Sequence, residues 1–428
     1  MLFFQFLYKM TLLTLILQVA LSVFAEHPNR AGGNLCGYFP QDTTITEAPA
    51  GYEPFYISLI ARHGSRFLSS RNAGYFQIAD TLAHYAEKQM LTDTGIALME
   101  EIRLLHRMSE GNYGSLTELG AQEHRDICAR MVRHYPEVFA DSLRRKIVTW
   151  STVSQRVQDS RTAFTGELTA RVRGLDIDEQ SAKQKEKSYG HQEVTGYYMT
   201  KEDRDRAKQT EKSMDKTIAL LRKGYDFKAF ADKIFRNPED VRAKTVKAIA
   251  KDAFRVLKTV CVTYPDSLPG MREYFTPREI YYLWLGSSVQ WVRYLSAEGY
   301  SNAFTAARGG GILACIVRDA DEALSSSSPV AATLRFSHDS YMMPVMAAIP
   351  LEGTFLTCSE TEIPDFFQDY NFVCPACNVQ LIFYRSGKKA PVLVKFLLNE
   401  KETLIHGLKP LTGCYYEWSK VKEFWANR

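Results

Sequence analysis

The stretch Phe55-Tyr56-Ile57-Ser58-Leu59-Ile60-Ala61-Arg62-His63-Gly64-Ser65-Arg66 decides how this chain is read. Phe55 to Ala61 is rich in β-branched and aromatic residues, is apolar on both faces and follows the turn-forming Pro49-Ala50-Gly51, as expected of a strand buried inside an α/β sheet. The strand delivers two arginines and a histidine, crowded around a glycine, to its carboxyl end, the edge at which open parallel sheets bind ligands. Neighbouring guanidiniums need an anion between them, and a tetrahedral phosphate suits their forked donors. A histidine held among them can attack phosphorus. A solvated turn is the bland alternative, and the position directly after a buried strand argues against it.

The chain has 428 residues, 45% hydrophobic and 24% charged, with ample length for a large core or two domains. A net charge of +4 is too balanced for a nucleic-acid protein, and no nucleic-acid partner is expected. Lys9 precedes the apolar stretch Met10 to Phe24, and Val23-Phe24-Ala25 has the small residues that a signal peptidase reads. Residues 1–25 are therefore read as a signal peptide cleaved near Ala25, and the mature protein as periplasmic or secreted. The alternative, an uncleaved anchor, conflicts with the interruptions at Thr11, Thr14, Gln18 and Ser22. No other run is apolar enough to span a bilayer, so no stable membrane insertion is expected after removal of the signal. The eight cysteines are even in number and lie in the exported part, where disulfides are allowed but their pairing is open. Cys374-Pro375-Ala376-Cys377 is read as a local structural disulfide in preference to a zinc or redox site, because it has no second such pair and no thioredoxin-like context. No Asn-x-Ser/Thr acceptor occurs, which tilts the reading toward a bacterial exported protein.

Residues 26–54 read as a surface tether of turns and loops. Helical spacing follows the arginine motif at Leu98, Ile102 and Leu105 after Thr92-Asp93, and at Ile127, Met131 and Tyr135 after Thr117 and Gly120. Lys146 to Trp150 reads as a second strand, followed by Ser151-Thr152 and by Arg156 at a helix start. Ala332 to Phe336 reads as a third strand, ending in Ser337-His338-Asp339-Ser340. Val379 to Tyr384 and Val392 to Leu398 complete the sheet as an edge hairpin around Ser386-Gly387-Lys388-Lys389. Between them, residues 166–300 form a charged, helical insertion in which Val246, Ile249, Ala253, Val256 and Val260 share one face and Thr276-Pro277-Arg278-Glu279 is a capped helix start. Its stretch Lys183 to Lys216 reads as a solvated helix face, with a wall attracting anionic substrates as the alternative. The fold class is thus α/β: a mostly parallel sheet with flanking helices, in a discontinuous domain of residues 26–165 and 301–428, plus the inserted α-helical domain at 166–300.

These features resemble the histidine acid phosphatases, the branch that includes phytases and multiple inositol polyphosphate phosphatases. The resemblance covers nearly the whole mature chain: Arg62-His63-Gly64-x-Arg66, a Leu-Thr-x-x-Gly helix start at Leu116 to Gly120, the Ser-Thr-x-x-x-Arg element ending at Arg156, the helical insertion and His338-Asp339. Arg66 argues against the mutase-like branch, which shares only Arg-His-Gly. The resemblance implies an exported phosphomonoesterase in which His63 is the phosphorylated nucleophile, Arg62, Arg66, Arg156 and His338 hold the phosphoryl oxygens, and Asp339 protonates the leaving alcohol. Small-molecule phosphate esters, among them inositol polyphosphates such as phytate, are the implied substrates. No cofactor is called for, and no metal-ligand spacing appears. Inositol polyphosphate phosphatases usually carry His-Ala-Glu where this chain has His338-Asp339-Ser340, which puts the donor one residue after the histidine on a shorter arm. The reading from another class is a non-catalytic exported binder of phosphorylated ligands, which would need the arginines but neither a nucleophile nor a proton donor.

Overall fold

The computed structural model describes residues 21–39, 44–181, 201–221, 225–263, 268–288, 291, 303–325, 327–354, 367–387 and 389–427. The signal segment up to residue 20, residues 183–200 of the lysine-rich stretch, Cys358 and Lys388 lie outside the described residues. The strands are β1 (Glu53–Arg62), β2 (Lys146–Ser151), β3 (Asp176–Ser181), β4 (Val330–Ser337), β5 (Asn378–Arg385), β6 (Leu393–Leu398), β7 (Lys401–Thr403) and β8 (Tyr416–Glu417). The longer helices are α1 (Ile78–Glu87), α2 (Asp93–Ser109), α3 (Glu118–His134), α4 (Gln155–Arg171), α5 (Lys201–Leu221), α6 (Ala243–Leu257), α7 (Pro277–Ser288), α8 (Ala303–Leu324), α9 (Asp339–Ala348) and α10 (Trp418–Ala426).

One sheet runs in the order β3-β2-β4-β1-β5-β6-β7, with β8 paired to β6. β3, β2, β4 and β1 are mutually parallel, and β5 joins β1 antiparallel. The apolar run of β1 is central: all of Phe55 to Arg62 is buried, as a strand covered on both faces must be. The chain passes from β1 to β2 and later threads β4 between them, so the crevice at their carboxyl ends is a topological switch point. The register there puts Arg62 beside Ser337 and Ser151 beside Phe336.

Helices cover both faces. α3 and α4 pack on one side, where Ile127, Met131, Val157 and Phe164 meet Leu59, Leu334 and Phe336. On the other side, apolar residues of the insertion, including Val246, Ile249 and Trp284, join Tyr56, Ile60 and the methionines of α9 in one continuous cluster. The helix start at Thr276 closes as a capping box: Glu279 N–H donates to Thr276 Oγ1 (3.3 Å), and Thr276 N–H donates back to the Glu279 carboxylate (2.9 Å).

Four expectations are corrected. The stretch 166–300, read as a charged, helical insertion, contains β3, whose Asp-Ile-Asp-Glu-Gln-Ser sequence lacks an apolar face because it pairs at a sheet edge. The pair β5 and β6 is no edge hairpin: β5 lies between β1 and β6, and β7 and β8 extend the sheet beyond β6. Residues 26–54 do more than tether the chain, since Pro28–Leu35 forms a short helical segment whose Ala31 and Leu35 are buried. Cys374 and Cys377 are free buried thiols. They lie at the ends of a turn closed by Cys377 N–H on the Cys374 carbonyl (3.2 Å), with Ala376 at φ +55.

Candidate active site

The backbone at the end of β1 is tied on every side. Arg62 N–H donates to the Cys377 carbonyl and His63 N–H to the Ser337 carbonyl, each at 2.9 Å, while the His63 carbonyl accepts from Ala376 N–H (3.0 Å). Gly64 N–H donates to Ser160 Oγ of α4 (3.1 Å), and Ser65 N–H donates to the Glu123 carboxylate of α3 (2.7 Å). The successive amides of His63, Gly64 and Ser65 are therefore all used by the protein, which leaves anion binding to side chains.

Glycine is required at two of these positions by contact. A Cβ on Gly64 would sit 2.2 Å from the Gly120 carbonyl oxygen, and one on Gly120 would sit 2.2 Å from the Ser65 carbonyl oxygen. The Leu-Thr-x-x-Gly start of α3 thus rests directly on the arginine motif. Thr117 caps the helix through Oγ1 on Gly120 N–H (3.1 Å) and also donates N–H to the Ser65 carbonyl (2.9 Å).

All six residues singled out in the sequence meet here. Arg62 is buried and donates Nη1 to the carbonyls of Asn34 (2.8 Å) and Val373 (2.7 Å), while its Nη2 lies 3.3 Å from the Asp339 carboxylate. His63 is 2% exposed, and its Nδ1 is 2.8 Å from the Gly64 carbonyl. A carbonyl only accepts, so Nδ1 carries the proton and the lone pair resides on Nε2. The His338 ring lies edge-on to it, 5.5 Å between centroids. His338 accepts from Arg156 Nη2 at Nδ1 (3.3 Å), which puts its own proton on Nε2, directed at Thr152 Oγ1 (3.1 Å). Arg62 Nε, Arg66 Nε and Arg156 Nε are buried donors without a hydrogen-bond partner, and Arg62 Nη2 has only its ion pair with Asp339. Buried donors left this way call for an acceptor, and three convergent guanidiniums call for an anionic one.

The electrostatics agree. Burial, then Arg62, Arg66 and Arg156, hold His63 well below its ordinary pKa, which favours the neutral, nucleophilic imidazole. Burial and Arg156 bring His338 down to about 4, and burial with the other guanidiniums brings Arg66 down to about 10. Burial alone would raise the Asp339 carboxyl, but Arg62 and Arg66, aided by the Ser340 N–H (2.7 Å), hold it below its usual value. Such a constellation can bind a phosphoryl group, place a nitrogen lone pair against it and offer a carboxyl beside the leaving oxygen.

Arg66 also lines a pocket of about 340 Å³ that Lys251, Arg255 and Lys258 of α6 and its C-terminal cap line as well, together with Asp215. These cations recur on one helix face, and the Arg255 guanidinium lies 4.6 Å from the centre of the Tyr75 ring. A larger cavity, about 710 Å³, opens toward the β7 edge of the sheet beside Thr46, Asn399 and Glu402, but none of its lining side chains is a buried donor without a partner. We therefore place the chemistry at the switch point. Sequence reasoning missed Glu123, Ser160 and the carbonyls of Asn34 and Val373, which hold the motif in place. Glu123 had one available signal, its position one turn after Gly120 on the same helix face.

The histidine phosphatase superfamily (branch 2) model matches residues 56–399. Among curated proteins none matches the sequence significantly. Among solved structures, the multiple inositol polyphosphate phosphatase of Bifidobacterium longum in complex with phosphate superposes with a TM-score of 0.74 at 16% identity, covering 93% of this chain and 97% of that one. The phytase of D. castellii gives a TM-score of 0.66 at 14% identity over 93% and 84% of the two chains. A phytase of Hafnia alvei gives 0.52 at 11% identity over 89% and 98%. At such identities the likeness concerns the fold. The family match spans most of the chain, and with it the chain belongs to the histidine phosphatase superfamily (branch 2), as a hydrolase of phosphomonoesters.

Proposed function

We propose that this protein is an exported histidine acid phosphatase that hydrolyses multiply phosphorylated esters, inositol polyphosphates such as phytate among them, through a phosphohistidine on His63. The observation that supports this most strongly is the setting of the His63 ring, its Nδ1 engaged by the Gly64 carbonyl and its Nε2 left among three guanidiniums with unused donors. Arg62, Arg66, Arg156 and His338 hold the phosphoryl oxygens while His63 Nε2 forms a bond to phosphorus. The bond from phosphorus to the ester oxygen breaks, its electron pair leaves with that oxygen, and Asp339 supplies the proton. Water then attacks the phosphohistidine, Asp339 takes up its proton, and the P–N bond breaks to release phosphate and restore neutral His63.

The preference for several phosphates rests on Lys251, Arg255 and Lys258, which line the same pocket as Arg66. Cations there act on charges a monoester does not have. Arg255→Glu should therefore lower kcat/KM for an inositol polyphosphate by on the order of tenfold while changing p-nitrophenyl phosphate less than threefold. Equal losses would remove the case for a polyphosphorylated substrate, and tight phosphate binding without turnover of any ester would leave a binding protein. Export rests on the amino-terminal segment: sequencing of the mature protein should begin near Glu26, and recovery of Met1 from a cytoplasmic fraction would refute it.

A further inference from the structure

Glu123 is the buried carboxylate of the site that the chemistry above does not use. It is 5% exposed, and each of its contacts is a donor: Ser65 N–H on Oε2 (2.7 Å), Ser65 O–H on Oε1 (2.7 Å) and Tyr38 N–H on Oε1 (2.8 Å). The two backbone N–H groups can only donate, one to each carboxylate oxygen, and the Ser65 hydroxyl can turn to donate as well, so these contacts fit the ionised form. Burial pushes its pKa above the ordinary value, while the Ser65 and Tyr38 donors and the Arg62 charge pull against that rise.

The peptide that Glu123 holds is the one on which His63 rests. The Gly64–Ser65 peptide presents its N–H to Glu123 and its C=O to His63 Nδ1–H (2.8 Å). The order is carboxylate, amide N–H, amide C=O, imidazole N–H. Hydrogen bonds in such a chain polarise one another, and a negative charge at one end makes the carbonyl at the other a stronger acceptor. We propose that Glu123 is a positioning residue for His63 that acts through the Gly64–Ser65 peptide, orienting the imidazole and stabilising the positive charge it acquires when Nε2 bonds to phosphorus. It fills the role of the third group in a nucleophile assembly, with a peptide bond between it and the ring. Gly64 and Gly120 allow the arrangement, because their backbone contact brings α3, and Glu123 with it, against the loop.

The inference rests on the phosphohistidine reading, and its test keeps the two apart. Rapid-quench phosphorylation of the full chain is followed with p-nitrophenyl phosphate and with an alkyl phosphate, on the wild type, Glu123→Gln and Glu123→Asp. Inorganic phosphate serves as the competitive inhibitor. Glu123→Gln should be phosphorylated roughly tenfold more slowly, by the same factor for both leaving groups, with inhibition by phosphate changed less than threefold. Glu123→Asp keeps the charge but draws it back from Ser65, and should fall between the two. A structural prop would lower the melting temperature yet leave the phosphorylation rate per folded molecule unchanged, and that result in either variant overturns the proposal. So does a loss of phosphate affinity that matches the loss of rate. If Glu123→Gln fails to fold, Glu123→Asp alone decides between these outcomes. A wild type that traps no phosphohistidine would defeat the functional reading itself.

Discussion

Asp339 is held by Arg62 and Arg66 in its ionised form, yet a proton donor must start protonated. A bound phosphate dianion resolves the conflict, since it neutralises the guanidiniums that depress the carboxyl and adds a negative charge that raises it. Asp339→Asn should therefore bind phosphate at least as well as the wild type but turn over slowly. Its defect should be large for alkyl phosphates, whose alkoxide needs a proton, and small for p-nitrophenyl phosphate, whose leaving group departs without one. Equal slowing of both esters would mean that the donor lies elsewhere. At this scale the sequence was legible wherever chemistry depends on side-chain identity: Arg62, His63, Arg66, Arg156, His338 and Asp339 all reach one crevice. It said little of what holds them, because Asn34 and Val373 act through carbonyls that every residue has, and Glu123 differs from other acids on a helix only by its place one turn after Gly120.

The ends of β1, β2 and β4 and the starts of α3, α4 and α9 form the site, and the tightest joint among them is glycine on glycine. Ala is intrinsically better in a helix than Gly by about 1 kcal/mol. At Gly120 the opposite sign is expected, because a Cβ would lie 2.2 Å from the Ser65 carbonyl oxygen and backbone on both sides must give way. Gly120→Ala should thus destabilise the protein by about 1–3 kcal/mol, read as a lower urea midpoint, and should reduce activity as the motif shifts. An unchanged midpoint would show that α3 is free to move. The strands of the buried core were readable because each is a compact apolar run. β3 was not, since an edge strand with a polar surface carries no such signature. The central place of β5 was also hidden, because strand adjacency depends on pairing partners far away in sequence.

Across the whole molecule, stability and function share a reserve of neutral buried histidines. His124 of α3 is fully buried, and burial, opposed only by the Arg62 backbone, brings its pKa down to about 3. The unfolded chain takes up this proton near pH 6.5 and the folded one does not, so the group favours folding above pH 6.5 and progressively less as pH falls. His338, down to about 4, acts in the same direction, whereas Asp369, raised by burial to about 6, opposes it between roughly pH 6 and 4. The difference between wild type and His124→Phe isolates one group. The variant's unfolding free energy should fall less steeply between pH 6.5 and 4, by up to about 1.4 kcal/mol per pH unit. Parallel pH curves would mean that His124 is protonated in the folded protein. The central claim concerns His63 and is tested most directly by trapping the intermediate. Labelled substrate is mixed with the full chain, quenched in alkaline denaturant within milliseconds, and the site of labelling mapped. The account predicts acid-labile phosphate on His63 in the wild type and none on a folded His63→Ala variant. Label on any other residue, or turnover by His63→Ala, would contradict it.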